Sequence, residues 1–512
     1  MNATANDSFN IRKVIAASSV GTMIEWYDFY IFGMLAKTIS TQFFPEGNAT
    51  AALLSTLAIF AAGFIVRPFG ALVFGRLGDL IGRKYTFLLT LVIMGGSTFL
   101  IGCVPGYKTI GIAAPLLVLL LRLLQGLALG GEYGGAATYV AEHSPAHKRG
   151  YYTSWIQTTA TLGLFIALAV IMLVKLNMPD ATFNAEWGGW RYPFWISIVL
   201  VIVSIYIRLK MKESPMFTKL KDEGKTSVNP LKESFRHKGN FKMVLLALFG
   251  AVMGQGVIWY TGQFYAQNFL ETKCNIDFEQ SRTIMLWAIA FATPFFLFFG
   301  WLSDKVGRKW IMMAGMLLGI LTYRPIFNTF LTDTDVSAWK NERLSIEGTP
   351  TIKKESIKNS SDSAITTTSI FLLADNAKYT EVKTDTLFSD TSKTIASAKP
   401  VYKDKHLSSS VYWKFVLLVF CLILYVTMVY GPIAAFLVEM FPTKIRYTSM
   451  SLPYHIGNGV FGGLVPFIGL LLTTTYPKDP LVGLWYPVGV ASLCFIIGVI
   501  YLRNKIDEDV TD

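Results

Sequence analysis

The segment GRLGDLIGRK, Gly75 to Lys84, returns 225 positions later as GWLSDKVGRK, Gly300 to Lys309. Gly, Leu, Asp, Gly, Arg and Lys stand at the same places in both copies. Each copy follows one long apolar stretch and precedes another. A charged turn kept between apolar stretches, at the same place in each half, marks a duplicated membrane protein.

Working outward, the composition agrees. Of 512 residues, 52% are hydrophobic and only 16% charged, where a soluble chain carries nearer a quarter charged. A helix needs about 20 mostly apolar residues to cross a bilayer. Stretches of that kind centre near Val20, Phe64, Leu91, Leu120, Ala167, Val201, Leu248, Ala290, Leu317, Leu424, Leu464 and Ile497, six per half. The ninth is the weakest, since it contains Arg324-Pro325. Backbone in lipid must satisfy its own hydrogen bonds, so these stretches are read as helices.

The net charge of +12 raises the question of nucleic acid. Its distribution answers otherwise. Ten Lys/Arg fall between Arg208 and Lys242, after the sixth stretch. Other clusters are Arg12-Lys13, Arg76-Arg83-Lys84, His147-Lys148-Arg149, Lys305-Arg308-Lys309, Lys444-Arg446 and Arg503-Lys505. They occupy alternate loops, as the positive-inside rule requires, and put both termini in the cytoplasm. The N-terminus does not read as a cleaved signal, because its apolar run contains Glu25 and Asp28. Cys103, Cys274, Cys421 and Cys494 are scattered, which implies neither a disulfide framework nor a metal site.

The expected organisation is residues 1–210 as one six-helix bundle, 211–240 as a cytoplasmic linker, and 241–512 as a second bundle. An exterior insert, 333–410, falls between helices nine and ten. Rich in Ser, Thr and mixed charge, it reads as a disordered loop. The strand-like runs Ile365–Leu373 and Tyr379–Leu387 give the other reading, a small folded module.

Ionisable residues inside spans are costly and mark function. Glu25 and Asp28 lie three apart on the first helix and share a face. Buried together, two carboxylates cannot both ionise cheaply, and one becomes a proton carrier near neutrality. The other reading pairs them with Arg or Lys at a helix end. On the fourth helix Arg122, Gln125 and Glu132 share a face, with Tyr133 alongside and five glycines for close helix approach. Arg122 reads as an anion partner, or as half of a fixed pair joining helices one and four. Glu132 reads as a second proton group. Arg67, before Pro68, is expected to snorkel to the surface or to pair with Asp79. In the second half Trp259, Tyr260 and Gln263, with Tyr454 and Asn458, can orient a small polar solute or simply bond helices together. His455 reads as a packing histidine.

The turn Gly-x-x-x-Asp-x-x-Gly-Arg-Lys, with its echo, resembles the signature loop of the major facilitator superfamily. EWYDFYIFG (Glu25–Gly33), RPFGALVFGRLGDLIGRK (Arg67–Lys84), RLLQGLALGGEYGGAATYVAEHSPAHKRGYYTSWIQ (Arg122–Gln157), KESPMF (Lys212–Phe217) and VEMFPTKIRYT (Val438–Thr448) narrow this. Together they resemble the metabolite:proton symporter family. The resemblance implies an all-α polytopic membrane protein of the major facilitator fold, with 12 transmembrane helices in two six-helix bundles. It implies a multi-pass protein of the bacterial plasma (inner) membrane, with a small organic solute, a proton and the lipid bilayer as its partners; a monomer is expected. Proton coupling then falls to Glu25, Asp28 and Glu132. Solute binding falls to Tyr27, Arg122, Gln125, Tyr133, Trp259, Tyr260, Gln263, Tyr454 and Asn458. A gating latch falls to Gly75, Asp79, Gly82, Arg83 and Lys84, with Asp304 and Arg308 as the second-half counterpart. Glu439 and Arg446 are expected to cross-brace the loop between helices ten and eleven.

The function expected is proton-coupled symport of a carboxylate or zwitterion by alternating access. Uncoupled facilitation of a sugar-like solute and a transporter-like sensor are the other readings. No nucleophile–base constellation or metal motif points to an enzyme. The repeated turn lacks the Gly-Lys-Ser/Thr ending of a nucleotide loop, so neither nucleotide nor other cofactor is expected.

Overall fold

The computed structural model describes residues 5–81, 83–131, 137, 140–141, 144–210, 238–340, 343–356, 363–373, 375–388, 396–441 and 446–504; for some of these, including 5–18, 75–87 and 446–448, only the backbone is described. The linker 211–237 and the residues Gly82, Glu132 and Tyr133 lie outside this set, as do the side chains of Asp79, Arg83, Lys84 and Arg446.

Among the described residues, helices stand at all twelve apolar stretches, and nine of them are long and apolar enough to cross a membrane. The first half holds α1 (Ala5–Met34), α2 (Ala49–Ile65, resuming as Arg67–Ile81), α3 (Arg83–Cys103), α4 (Ala113–Leu129), α5 (Arg149–Leu176) and α6 (Tyr192–Lys210). The second half holds α7 (Lys238–Thr272), α8 (Phe278–Val306), α9 (Arg308–Asp333), α10 (Ser409–Tyr430, resuming as Ile433–Met440), α11 (Arg446–Tyr454, continuing to Thr475) and α12 (Trp485–Tyr501). The weak ninth stretch forms one continuous helix through Pro325. Leu173, Ile202, Leu321 and Ile500 are each more than 60% exposed, which suits helices whose outer faces meet lipid tails.

By contacts the chain forms two compact units: Met1–Tyr265, Ile289–Tyr323 and Phe420–Asp512 in the first; Ala266–Ala288 and Arg324–Val419 in the second.

In the first unit, small residues set the helix spacing. A Cβ on Gly126 of α4 would overlap the Gly63 carbonyl oxygen of α2, and one on Gly130 would overlap the Arg67 carbonyl oxygen. The two backbones therefore touch, and Arg67 is held inside the crossing. Helix α7 is interrupted by two π-helical segments, Leu248–Val252 and Thr261–Tyr265, and α11 by a third, His455–Gly462. Such turns concentrate at functional sites because they re-aim side chains.

The second unit contains the insert, and here the expectation of disorder is corrected. Strands β1 (Arg343–Ser356), β2 (Ser363–Leu373), β3 (Lys378–Leu387), β4 (Ala396–Ser397) and β5 (Val401–His406) form an antiparallel sheet in the order β1-β2-β3-β4, with β5 also on β3. Much of the polarity is threonine, which is β-branched and suits a pleated strand. At the base, Tyr379 is fully buried against Phe371, Tyr402 and Trp339. A short aromatic core thus replaces the expected loop.

Candidate functional site

Helix α1 supplies the centre of the site. Phe29 is fully buried, and its ring is flanked by two guanidinium groups. The Arg67 Cζ lies 4.3 Å from the Phe29 ring centre, and the Arg122 Cζ lies 4.0 Å from it. Arg67 also stacks on Phe64 at 4.1 Å and Trp26 at 5.3 Å. Arg122 meets Phe32 at 4.7 Å and Phe60 at 5.1 Å. Arg67 is 1% exposed, so it does not snorkel, which corrects that expectation; Asp79, the other expectation, has its side chain outside the described residues. The crossing of α2 and α4 encloses Arg67.

Each arginine is only partly satisfied. Arg122 Nη1 donates to the Phe29 carbonyl oxygen (3.1 Å) and to Gln125 Oε1 (2.9 Å), and Gln125 Nε2 donates to Thr98 of α3 (2.6 Å). Arg67 bonds the Tyr260 hydroxyl, which also bonds Tyr30. Among the described residues the Nε and Nη2 atoms of both arginines have no partner, and neither guanidinium has an ion pair. An uncompensated buried ion costs several kcal/mol. A ring face returns about 2 kcal/mol when desolvated. The rings soften the cost without removing it. The free Nε–Nη2 edge is the side-on fork that takes a carboxylate in two parallel hydrogen bonds.

Helix α7 closes the site from the second half. Tyr30 stacks on Trp26 (5.0 Å between centres) and on Trp259 (5.2 Å), and Phe264 packs on Tyr30 and Phe60. Gln263 lies in the second π segment, fully buried, and among the described residues neither polar atom of its side chain has a partner. Trp259 Nε1 is likewise unpartnered there. Tyr454 hydrogen-bonds Tyr430 (2.8 Å), and Gln255 donates to Asn458 (3.3 Å). His455 is buried beside Arg67 and the Gly130 backbone.

The carboxylates are buried too. Glu25 and Asp28 are each 1% exposed. Neither Asp28 oxygen has a hydrogen-bond partner among the described residues, and a Cβ on Gly95 of α3 would stand 3.3 Å from Asp28 Oδ2. Asp28 therefore faces α3, and no ion pair to Arg67 or Arg122 is formed. Tyr27 turns to α6, where its hydroxyl donates to the Pro193 carbonyl oxygen at 2.7 Å. Glu132 and Tyr133 fall outside the described residues.

A second charged cluster joins the halves at the end carrying the repeated turns. Asp304 of α8 accepts from the backbone N–H groups of Gly150 (2.8 Å) and Tyr151 (2.9 Å), capping the N-terminus of α5 where a carboxylate is favoured. Arg308 reaches Asp304 at 2.6 Å and Glu439 of α10 at 2.9 Å, and Glu439 also meets Arg149 of α5 at 3.3 Å. Glu439 pairs across the halves; the expected brace to Arg446 falls on a side chain outside the described residues. The first-half latch side chains Asp79, Arg83 and Lys84, and Gly82, lie outside them as well; Gly75 is described in its helical backbone alone.

Helices at twelve apolar stretches in two related halves, with two buried arginines that have no ion pair among the described residues and a charged clasp at one end, describe a membrane transporter. The family model for sugar (and other) transporters matches residues 13–242. Over 95% of this chain and 92% of its own length, the inner membrane metabolite transport protein YhjE of Escherichia coli is 32% identical. The alpha-ketoglutarate permease of E. coli is 31% identical over 98% of this chain and 96% of its own. The E. coli proline/betaine transporter is 33% identical over 64% of this chain and 66% of its own. In fold, the solved xylose transporter XylE from E. coli matches with a TM-score of 0.63 at 14% identity, covering 96% of this chain and 98% of that one. The chain belongs to the major facilitator superfamily, among its metabolite transporters.

Proposed function

We propose that the protein carries a small organic carboxylate across the membrane together with a proton, by alternating access. The observation that carries this reading is the pair of buried arginines, each with its Nε–Nη2 edge unpartnered among the described residues. A solute carboxylate relieves the cost of the buried charge, which is a driving force for binding confined to anionic groups. Gln263 and the Trp259 N–H supply uncharged hydrogen bonds to the rest of the solute. Relatives named for alpha-ketoglutarate, proline/betaine and shikimate support the same reading, since each of those compounds bears a carboxylate. A neutral sugar leaves both cations uncompensated, which disfavours the sugar-like alternative.

Asp28 is the proton site in this reading. A carboxylate buried with no partner is cheaper protonated than charged, so its occupancy follows the proton supply. In this reading, which rests on the alternating loop charge, both termini and the Asp304–Arg308–Glu439–Arg149 clasp face the cytoplasm and the insert faces outside. The clasp then closes the inward path, and breaking it belongs to the inward-opening step.

Counterflow in proteoliposomes with a panel of carboxylates, betaines, amino acids and sugars, with and without a pH gradient, tests this. Carboxylates are expected to exchange, and an inward proton gradient to drive their accumulation. Exchange of sugars alone would overturn the solute class. Carboxylate exchange with no response to the gradient would overturn the coupling.

A further inference from the structure

The insert does more than stand beside the helices of its own unit. Its last strand, β5, joins the turn between α7 and α8. Lys405 N–H donates to the Asn275 carbonyl oxygen (2.9 Å), and Asp277 N–H donates to the Lys405 carbonyl oxygen (2.9 Å), making a parallel bridge at Ile276. Two residues on, Leu407 N–H donates to Gln280 Oε1 (2.6 Å), and Gln280 Nε2 donates back to the Leu407 carbonyl oxygen (3.1 Å). Lys405 Nζ then donates to the Thr334 carbonyl oxygen just past α9, at 2.6 Å. Lys405 and Gln280 are 6% and 8% exposed, so these bonds are shielded from water.

Asn275 (φ 54°) and Asp404 (φ 46°) both take the left-handed conformation, which asparagine and aspartate enter more readily than other side chains except glycine's. The turn and β5 each carry one such residue, on either side of the same bridge.

Helix α7 carries Trp259, Tyr260 and Gln263, and its second π segment, Thr261–Tyr265, lies between the first two of these and the turn. A π turn interrupts the regular hydrogen-bond ladder and is a natural point of flexure. Beyond it, Ala266–Thr272 and the turn form a short arm. We propose that the insert is a strap: through β5 and Gln280 it fastens the α7–α8 turn to the end of α9 and sets how readily that arm of α7 opens. Lids and arms of this kind control the rate of many conformational cycles. The β1–β2 hairpin takes no part in the ladder.

The native Cys274, fully buried in the turn, reports opening directly. The test uses the full chain in nanodiscs with Cys103, Cys421 and Cys494 replaced by Ser. Maleimide labelling of Cys274 and amide hydrogen exchange over residues 275–281 are followed together. Gln280→Ala and Lys405→Met are each expected to raise both rates at least tenfold. Lys405→Arg, which keeps a donor, is expected to stay near the parent. Replacing 343–373 by a short Gly/Ser bridge is expected to leave both rates unchanged. Unchanged rates in Gln280→Ala and Lys405→Met overturn the strap. Equal acceleration by the hairpin deletion also overturns it, since the sheet as a whole would then be the restraint. If neither point variant purifies as a monodisperse species while the hairpin deletion does, the ladder is a folding requirement and the proposal fails.

Discussion

Phe29 shows how much one ring decides. Two guanidinium groups of like charge sit within 4.3 Å of its centre, and their contact with the ring faces offsets only part of the cost. Each unpartnered edge can meet one carboxylate in the proposed solute. A short dicarboxylate such as succinate is therefore expected to compete for binding at least tenfold better than acetate, in a thermal-shift or competition assay on the purified protein. Equal competition would mean that only one arginine meets the solute. Asp28 gives a separate prediction. Asp28→Asn fixes a neutral side chain, so gradient-driven accumulation is expected to be lost while exchange at equal concentrations persists; accumulation at the parent level would remove Asp28 from the coupling. The Arg122–Gln125 pair was legible in sequence, because a three-residue spacing on a helix fixes a shared face, and the two do hydrogen-bond. Arg67 was not. Standing before Pro68 and close to a charged turn, it looked interfacial, and only the packing of α2 on α4 reveals its burial.

Helices were easier to read than their irregularities. Apolar length alone locates nine of the twelve, since lipid leaves the backbone little choice. Periodicity placed Trp259, Tyr260 and Gln263 on α7, yet nothing in the composition announces π segments, which arise from tertiary packing. The insert failed in the opposite direction. Its Ser/Thr content suggested disorder, while the Thr, Val, Ile and aromatic content of Ile365–Leu373 and Tyr379–Leu387 held the better signal, as β2 and β3 show. Helix contact can be tested at this scale with paired glycines. Gly126→Ala forces its Cβ onto the Gly63 carbonyl oxygen, whereas a Cβ at Gly96 meets nothing within 4 Å. Overpacking of a tight contact costs about 1–3 kcal/mol. Gly126→Ala is expected to lower the melting temperature in detergent by several degrees and to weaken solute binding through Arg67, with Gly96→Ala near the parent in both. Similar effects from the two would show that α2 and α4 are not locked at this crossing.

For the whole molecule, the duplicated turn announced two halves but not how they meet. Arg149 and Glu439 are 290 positions apart, and no local pattern could pair them. The clasp they form is buried, with side chains 8% and 5% exposed. Removing one member of such a pair costs about 3–5 kcal/mol in the state that contains it. Glu439→Gln is therefore expected to shift the protein away from the clasped state. Gly300→Trp makes the same point by volume. A Cβ there stands 2.5 Å from the Ser154 Cβ and 2.8 Å from the Gly150 carbonyl oxygen, so an indole cannot enter while α5 and α8 are in contact. The variant is expected to hold the clasped end open. Solute binding should persist, since Arg67, Arg122 and Gln263 lie on other helices, but counterflow should fall at least a hundredfold because the cycle needs both states. Gly489→Trp is the control, for a Cβ at Gly489 meets nothing within 4 Å. Loss of binding in step with transport in a folded Gly300→Trp protein would show that the clasp and the arginine site are one structure. Retained transport would show that α5 and α8 need never close during the cycle.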